Sequence, residues 1–169
     1  MIKGLFILKK IQKGFTLIEL ILYMGLLSVL LLVLSQVFTT VLEGQINAEA
    51  TSSVAQDGRY IYSRFIHDVH NADSVATPSA LGEISESLVL SSNTLVYTYF
   101  LNNGNLYISD PTGTHQLNSF NTTISDLVFQ RIGNVAGKHT FQIHFTVTSK
   151  GELRGNNEIK IFQTTAGLR

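Results

Sequence analysis

Lys9-Lys10-Ile11-Gln12-Lys13-Gly14-Phe15-Thr16-Leu17-Ile18-Glu19-Leu20, continuing apolar as far as Leu42, is the stretch that decides the fold. A basic leader without acidic residues meets a small residue, Gly14, and the run that follows carries one charge, Glu19. From Phe15 to Leu42 is roughly 28 residues, more than the ~20 that a helix needs to cross a bilayer. The segment therefore reads as membrane-spanning. Lys3, Lys9, Lys10 and Lys13 precede it, whereas Glu43, Glu49 and Asp57 follow it before the first arginine, Arg59. That asymmetry predicts a single membrane pass, with the leader cytoplasmic and the rest of the chain extracytoplasmic. The run exceeds the about 7–15 residues of a secretory h-region, and no A-x-A-like site closes it. A plain signal anchor holding an extracytoplasmic sensor or binding domain is the alternative.

Glu19 is the chemically odd residue. An acid at mid-bilayer costs on the order of 3 kcal/mol, so it normally has a partner or a function. No basic residue lies within the run, and Lys13 sits off the i+3/i+4 face. Cleavage after Gly14 would leave Phe15 with a free α-amine, positive near neutral pH. That amine cannot easily reach its own Glu19, but a parallel copy staggered by about one turn would bring one there. The other reading is a glutamate near the headgroups, reaching to water or held neutral by desolvation.

Lys13-Gly14, then Phe15-Thr16-Leu17-Ile18-Glu19-Leu20, resembles the processing site of type IV prepilins and pseudopilins, with the cut expected between Gly14 and Phe15. The resemblance implies recognition of Lys13, Gly14, Thr16, Leu17 and Ile18 by a membrane-embedded prepilin peptidase, and N-methylation of Phe15. It implies that Glu19 pairs with the Phe15 amine of a neighbouring subunit. The partners it implies are other pilin or pseudopilin subunits, met through parallel helices, and an inner-membrane assembly platform.

Composition bounds the remainder. At 169 residues the chain holds one membrane segment and one globular domain, of about 125 residues, which is enough for a core. A net charge of zero does not favour nucleic acid as a partner. The absence of cysteine excludes disulfides, thiol catalysis and Cys-based zinc sites.

Beyond Leu42 no proline intervenes before Pro78, and Val54, Ile61, Phe65, Val69 and Ala72 recur close to a helical period, with Arg59, Arg64 and Asp68 read onto other faces. One helix from Phe15 to about Asn71 is expected, its second half amphipathic and serving as the spine of the domain. Gly25, Gly44 and Gly58 each weaken it by about 1 kcal/mol relative to Ala. Asn71–Glu86 reads as a connection. Strands are expected at Ser87–Ser91, Thr94–Leu101, Leu106–Ser109, Asp126–Ile132, Thr140–Thr148 and Glu158–Thr164. Asn102-Asn103-Gly104-Asn105 is a type I′ hairpin signal, and Asp110-Pro111-Thr112-Gly113 a further turn. In Thr140–Thr148 the alternation puts Phe141, Ile143, Phe145 and Val147 on one buried face. The expected fold is α+β: a long transmembrane and amphipathic helix packed on one antiparallel sheet, pilin-like. The divisions are 1–14 leader, 15–42 transmembrane and assembly helix, 43–72 amphipathic continuation and 73–169 exported sheet domain.

Residues Arg59 to Ala72, with Val96-Tyr97-Thr98-Tyr99, Gly104-Asn105-Leu106-Tyr107 and Leu127-Val128-Phe129, are similar to the PilW and J-type minor pseudopilin group. The chain departs from that group at Tyr107, often Arg, and in lacking a proline before Thr140. The tip-most pseudopilin of type II secretion commonly lacks the acid that Glu19 supplies.

Signals for chemistry are sparse. His67 and His70 share a helical face, but a zinc site needs three or four ligands. His139 and His144 are read as strand positions on opposite faces. Glu83, Glu86, Asp110 and Asp126 form no dense calcium-loop pattern. No serine has a Gly-x-Ser-x-Gly context. Tyr60, Tyr62, Tyr97, Tyr99 and Tyr107 read as core or sheet-face residues. No enzyme, cofactor or metal is expected.

Overall fold

A computed structural model describes residues 14–93, 95–133, 137–151 and 157–169. Helix α1 runs Leu17–Asn71. It starts two residues later than the sequence predicts because Thr16 acts as its cap. The chain forms two compact units, one ending at Leu42 and the other Glu43–Arg169.

In the first unit the described residues 14–42 are exposed, except Glu19, which is partly shielded. Such a surface suits lipid or other apolar helices, not water. Three hydroxyls inside the run are satisfied locally. Ser28 donates to the Met24 carbonyl at 2.8 Å, Thr39 to that of Gln36 at 2.9 Å, and Thr40 to that of Gln36 at 3.0 Å. Back-bonding of this kind lets Ser and Thr sit in an apolar helix without an orphaned polar group.

In the second unit α1 buries Val54, Asp57, Gly58, Ile61, Phe65, Asp68 and Val69, a stripe at three- and four-residue spacing. Ala72 extends it just past the helix end. The five apolar positions expected on the stripe are all in the core.

Nine strands lie among the described residues: β1 Ser74–Thr77, β2 Ile84–Ser85, β3 Leu88–Ser92, β4 Leu95–Asn102, β5 Asn105–Asp110, β6 Gly113–Gln116, β7 Thr122–Ile132, β8 Thr140–Ser149 and β9 Ile159–Gly167. They form two antiparallel sheets, not one: β1-β3-β4-β5-β6 and β2-β7-β8-β9. The break falls after β6. There Leu117 and Asn118 turn inward, and the Asn118 side chain accepts from the Leu106 amide at 2.9 Å while donating to the Thr122 carbonyl at 3.1 Å. A side-chain amide thus bridges Leu106 of β5 and Thr122 of β7. The Ile124 amide, donating to the Gly104 carbonyl at 2.8 Å, ties the second sheet to the first.

Asn71–Glu86 is more ordered than a connection, since it contains β1 and β2. The β4–β5 turn has Asn103 and Gly104 at φ 48° and 74°, the left-handed geometry of a type I′ turn. In β8, Phe141, Ile143, Phe145 and Val147 are fully buried. Thr146, expected on the wet face, is also buried, and His139 precedes β8 instead of lying in it. Phe65 and Tyr99 each pack 6.2 Å from Phe129, so helix and both sheets meet in one aromatic cluster.

Candidate functional site

The residues on which the sequence concentrates function lie at the start of α1. Gly14, Phe15 and Thr16 precede the helix and are exposed, while Lys13 and the rest of the leader lie outside the described residues. The Glu19 amide donates to Thr16 Oγ1 at 3.4 Å, and the Leu20 amide to the Thr16 carbonyl at 3.2 Å. Thr16-x-x-Glu19 thus has the spacing of a capping box, with the threonine hydroxyl taking up an otherwise unpaired first-turn N–H. Glu19 lies in that first turn. Its negative charge is favourable beside the positive end of the helix dipole. Both features are legible in the sequence, where Thr followed three residues later by Glu marks a helix start.

The carboxylate has one more contact. The Tyr23 hydroxyl donates to Glu19 Oε1 at 3.3 Å, and the Phe15 and Tyr23 rings meet edge to face at 6.1 Å. Positions 15, 19 and 23 are spaced by four, which sets them along one side of the helix start. Leu17 and Ile18, the other residues expected at the peptidase site, are three-quarters exposed.

The second unit contains two buried carboxylates, both on the core stripe of α1. Asp57 accepts from the Ser119 amide at 2.8 Å, the Ser119 hydroxyl at 2.7 Å and the Thr122 hydroxyl at 2.5 Å. Asp68 accepts from Arg64 Nε at 2.8 Å, His67 Nδ1 at 3.1 Å and the Tyr99 hydroxyl at 2.5 Å. Asp68 is therefore not on an outer face, as the sequence reading places it. Position 68 follows Phe65 by three, a spacing that also fits the stripe; the charge argued otherwise. Burial, then the adjacent Asp68 charge, push the Tyr99 phenol well above its ordinary range. The hydrogen bond to Asp68 raises the Arg64 guanidinium. These clusters bind helix to sheet.

Two acids of the calcium reading, Glu83 and Asp110, are engaged in turns. Glu83 accepts from the Ala80 and Ser79 amides, each at 2.6 Å, and is held below the usual carboxylate range, chiefly by the Ala80 amide. Asp110 accepts from the Thr112 hydroxyl at 2.5 Å and its amide at 2.8 Å, the hydroxyl contributing most to lowering it. Among the described residues no three His, Asp or Glu side chains come together as a metal site. His67 bonds instead to Asp68 and, at 3.1 Å, to Asn71.

A capped helix with one acid in its first turn, an exposed apolar length and a sheet domain on its second half defines a pilin-like α+β architecture. Residues 9–35 match the family model of the prokaryotic N-terminal methylation motif. Over those residues the chain carries a type IV prepilin-like N-terminal motif, which supports the resemblance to prepilins and pseudopilins. The match ends at residue 35 and does not extend to the PilW or J-type features further on. No curated protein and no solved structure matches the chain.

Proposed function

We propose that the chain is a minor pilin or pseudopilin, a structural subunit whose work is mechanical. Prepilin peptidase cuts after Gly14, the 1–14 leader is lost, and the new Phe15 amine is methylated. Residues 15–42 anchor the subunit in the inner membrane, with 43–72 and 73–169 on the extracytoplasmic side. Subunits then join through parallel helices on an assembly platform, as part of a type IV pilus-like or type II secretion filament or its priming complex. Glu19 receives the Phe15 amine of the adjacent subunit, which removes the cost of an unpaired carboxylate in lipid.

The observation that carries this reading is the methylation motif at residues 9–35. Its placement on a helix long and apolar enough to cross a membrane, with none of that window buried, adds to it. Intact-mass and N-terminal sequencing of the protein from its host membranes test it. A chain beginning at Phe15 with one added methyl group is the expected result. An intact chain beginning at Met1 would overturn the proposal in favour of an uncleaved signal anchor.

A further inference from the structure

Among the described residues from Gly14 to Leu42, Glu19 alone is partly shielded, and the group in contact with its carboxylate is the Tyr23 hydroxyl. A carboxylate has two oxygens and about four acceptor positions. Tyr23 donates to Oε1, leaving Oε2 without a described donor. The same ring is in edge contact with Phe15, the residue that would bear the new amine. One phenol therefore touches both ends of the expected intersubunit pair, acid and amine-bearing residue, within a single copy.

We propose that Tyr23 is a positioning residue for assembly. Its hydroxyl holds Glu19 Oε1 on the subunit's own helix and presents Oε2 to the amine arriving from a second copy or a related subunit. Its ring fixes the direction in which Phe15 leaves the helix start, and so where that subunit's own amine points. In the unassembled subunit the same hydrogen bond gives the carboxylate a donor in a surrounding that offers few. The inference rests on the Glu19–amine pairing proposed above. The ordinary role for a tyrosine here is an interfacial anchor, its ring at the headgroup level. An anchor needs no Glu19; a positioning hydroxyl does nothing without it.

The test is a double-mutant cycle in the full-length protein, comparing wild type, Tyr23→Phe, Glu19→Leu and the double variant. The fraction of membrane subunit recovered in cross-linked assemblies is measured for each. N-terminal mass spectrometry establishes that all four are cut after Gly14. Tyr23→Phe keeps the ring and removes only the hydroxyl, and it should lower the assembled fraction about fivefold, because the freed Glu19 side chain must then be ordered as the amine arrives. In the Glu19→Leu background the same change should have no effect. Equal losses in both backgrounds, or no loss in either, would overturn the positioning role. Should Glu19→Leu itself assemble like wild type, the pairing reading fails first and the inference falls with it.

Discussion

Asp57 and Asp68 show how much of the second unit depends on single buried charges. Asp57 has three donors from one short segment, and removing its carboxylate leaves those donors without an acceptor. Asp57→Ala should therefore destabilise the domain by about 3 kcal/mol. The midpoint of urea unfolding, measured at constant slope, checks this. At Asp68 the partner is a phenol whose proton is bound more tightly in the folded state than in the unfolded chain. Its contribution is complete below the unfolded phenol value, near pH 10, and is lost as pH rises above it, because the unfolded state then sheds a proton that the native state keeps. Tyr99→Phe should flatten the fall in stability above about pH 10, while lowering stability at neutral pH by about 1–2 kcal/mol. Denaturant titrations at neutral and alkaline pH separate the two effects.

At the scale of elements, the glycines of α1 differ in what surrounds them. A Cβ on Gly58 would land inside the Phe162 ring, whereas nothing lies within 4 Å of one on Gly44. Phe162 is stacked on Phe145 at 5.4 Å and cannot swing freely aside. Gly58→Ala therefore sets a helix-propensity gain of about 1 kcal/mol against overpacking of about 1–3 kcal/mol, and the overpacking should prevail. Gly44→Ala should stabilise by up to about 1 kcal/mol. Thermal unfolding of the two variants should move in opposite directions. The sequence reveals that Gly58 weakens a helix; only the packing of β9 against that turn shows why it is there.

The same limit explains which other elements were legible. The α1 stripe and the β8 alternation are periodic, and periodicity survives without knowledge of neighbours. Type I′ geometry at Asn103-Gly104 is local chemistry and was equally readable. β1 and β2 are too short to show a period, and β6, Gly113-Thr114-His115-Gln116, carries little strand preference. They form because a partner edge is available. The Asn118 bridge between the two sheets was equally hidden, because its role requires knowing that Leu106 and Thr122 lie on either side of it. In the candidate site, Gly14, Phe15 and Glu19 were conspicuous as a motif. Tyr23 was not, because its importance lies in contacts with two of those residues.

At the scale of the molecule, the core is assembled wholly within Glu43–Arg169. A fragment beginning at Glu43 should fold as a monomeric domain, with a single cooperative transition and the helix and strand signals of the second unit. Circular dichroism and denaturant unfolding followed by two probes check this; a fragment without a cooperative transition would mean that the first 42 residues are needed for the core.

The back-bonded hydroxyls of Ser28, Thr39 and Thr40 carry a consequence for transfer between solvents. Because each already spends its proton on a carbonyl of the preceding turn, exchanging acyl chains for the flanks of sister helices breaks no hydrogen bond at these positions. Relocation at those three points is close to electrostatically neutral. The carboxylate near the start of the run is then the charged position at which one environment can be told from the other.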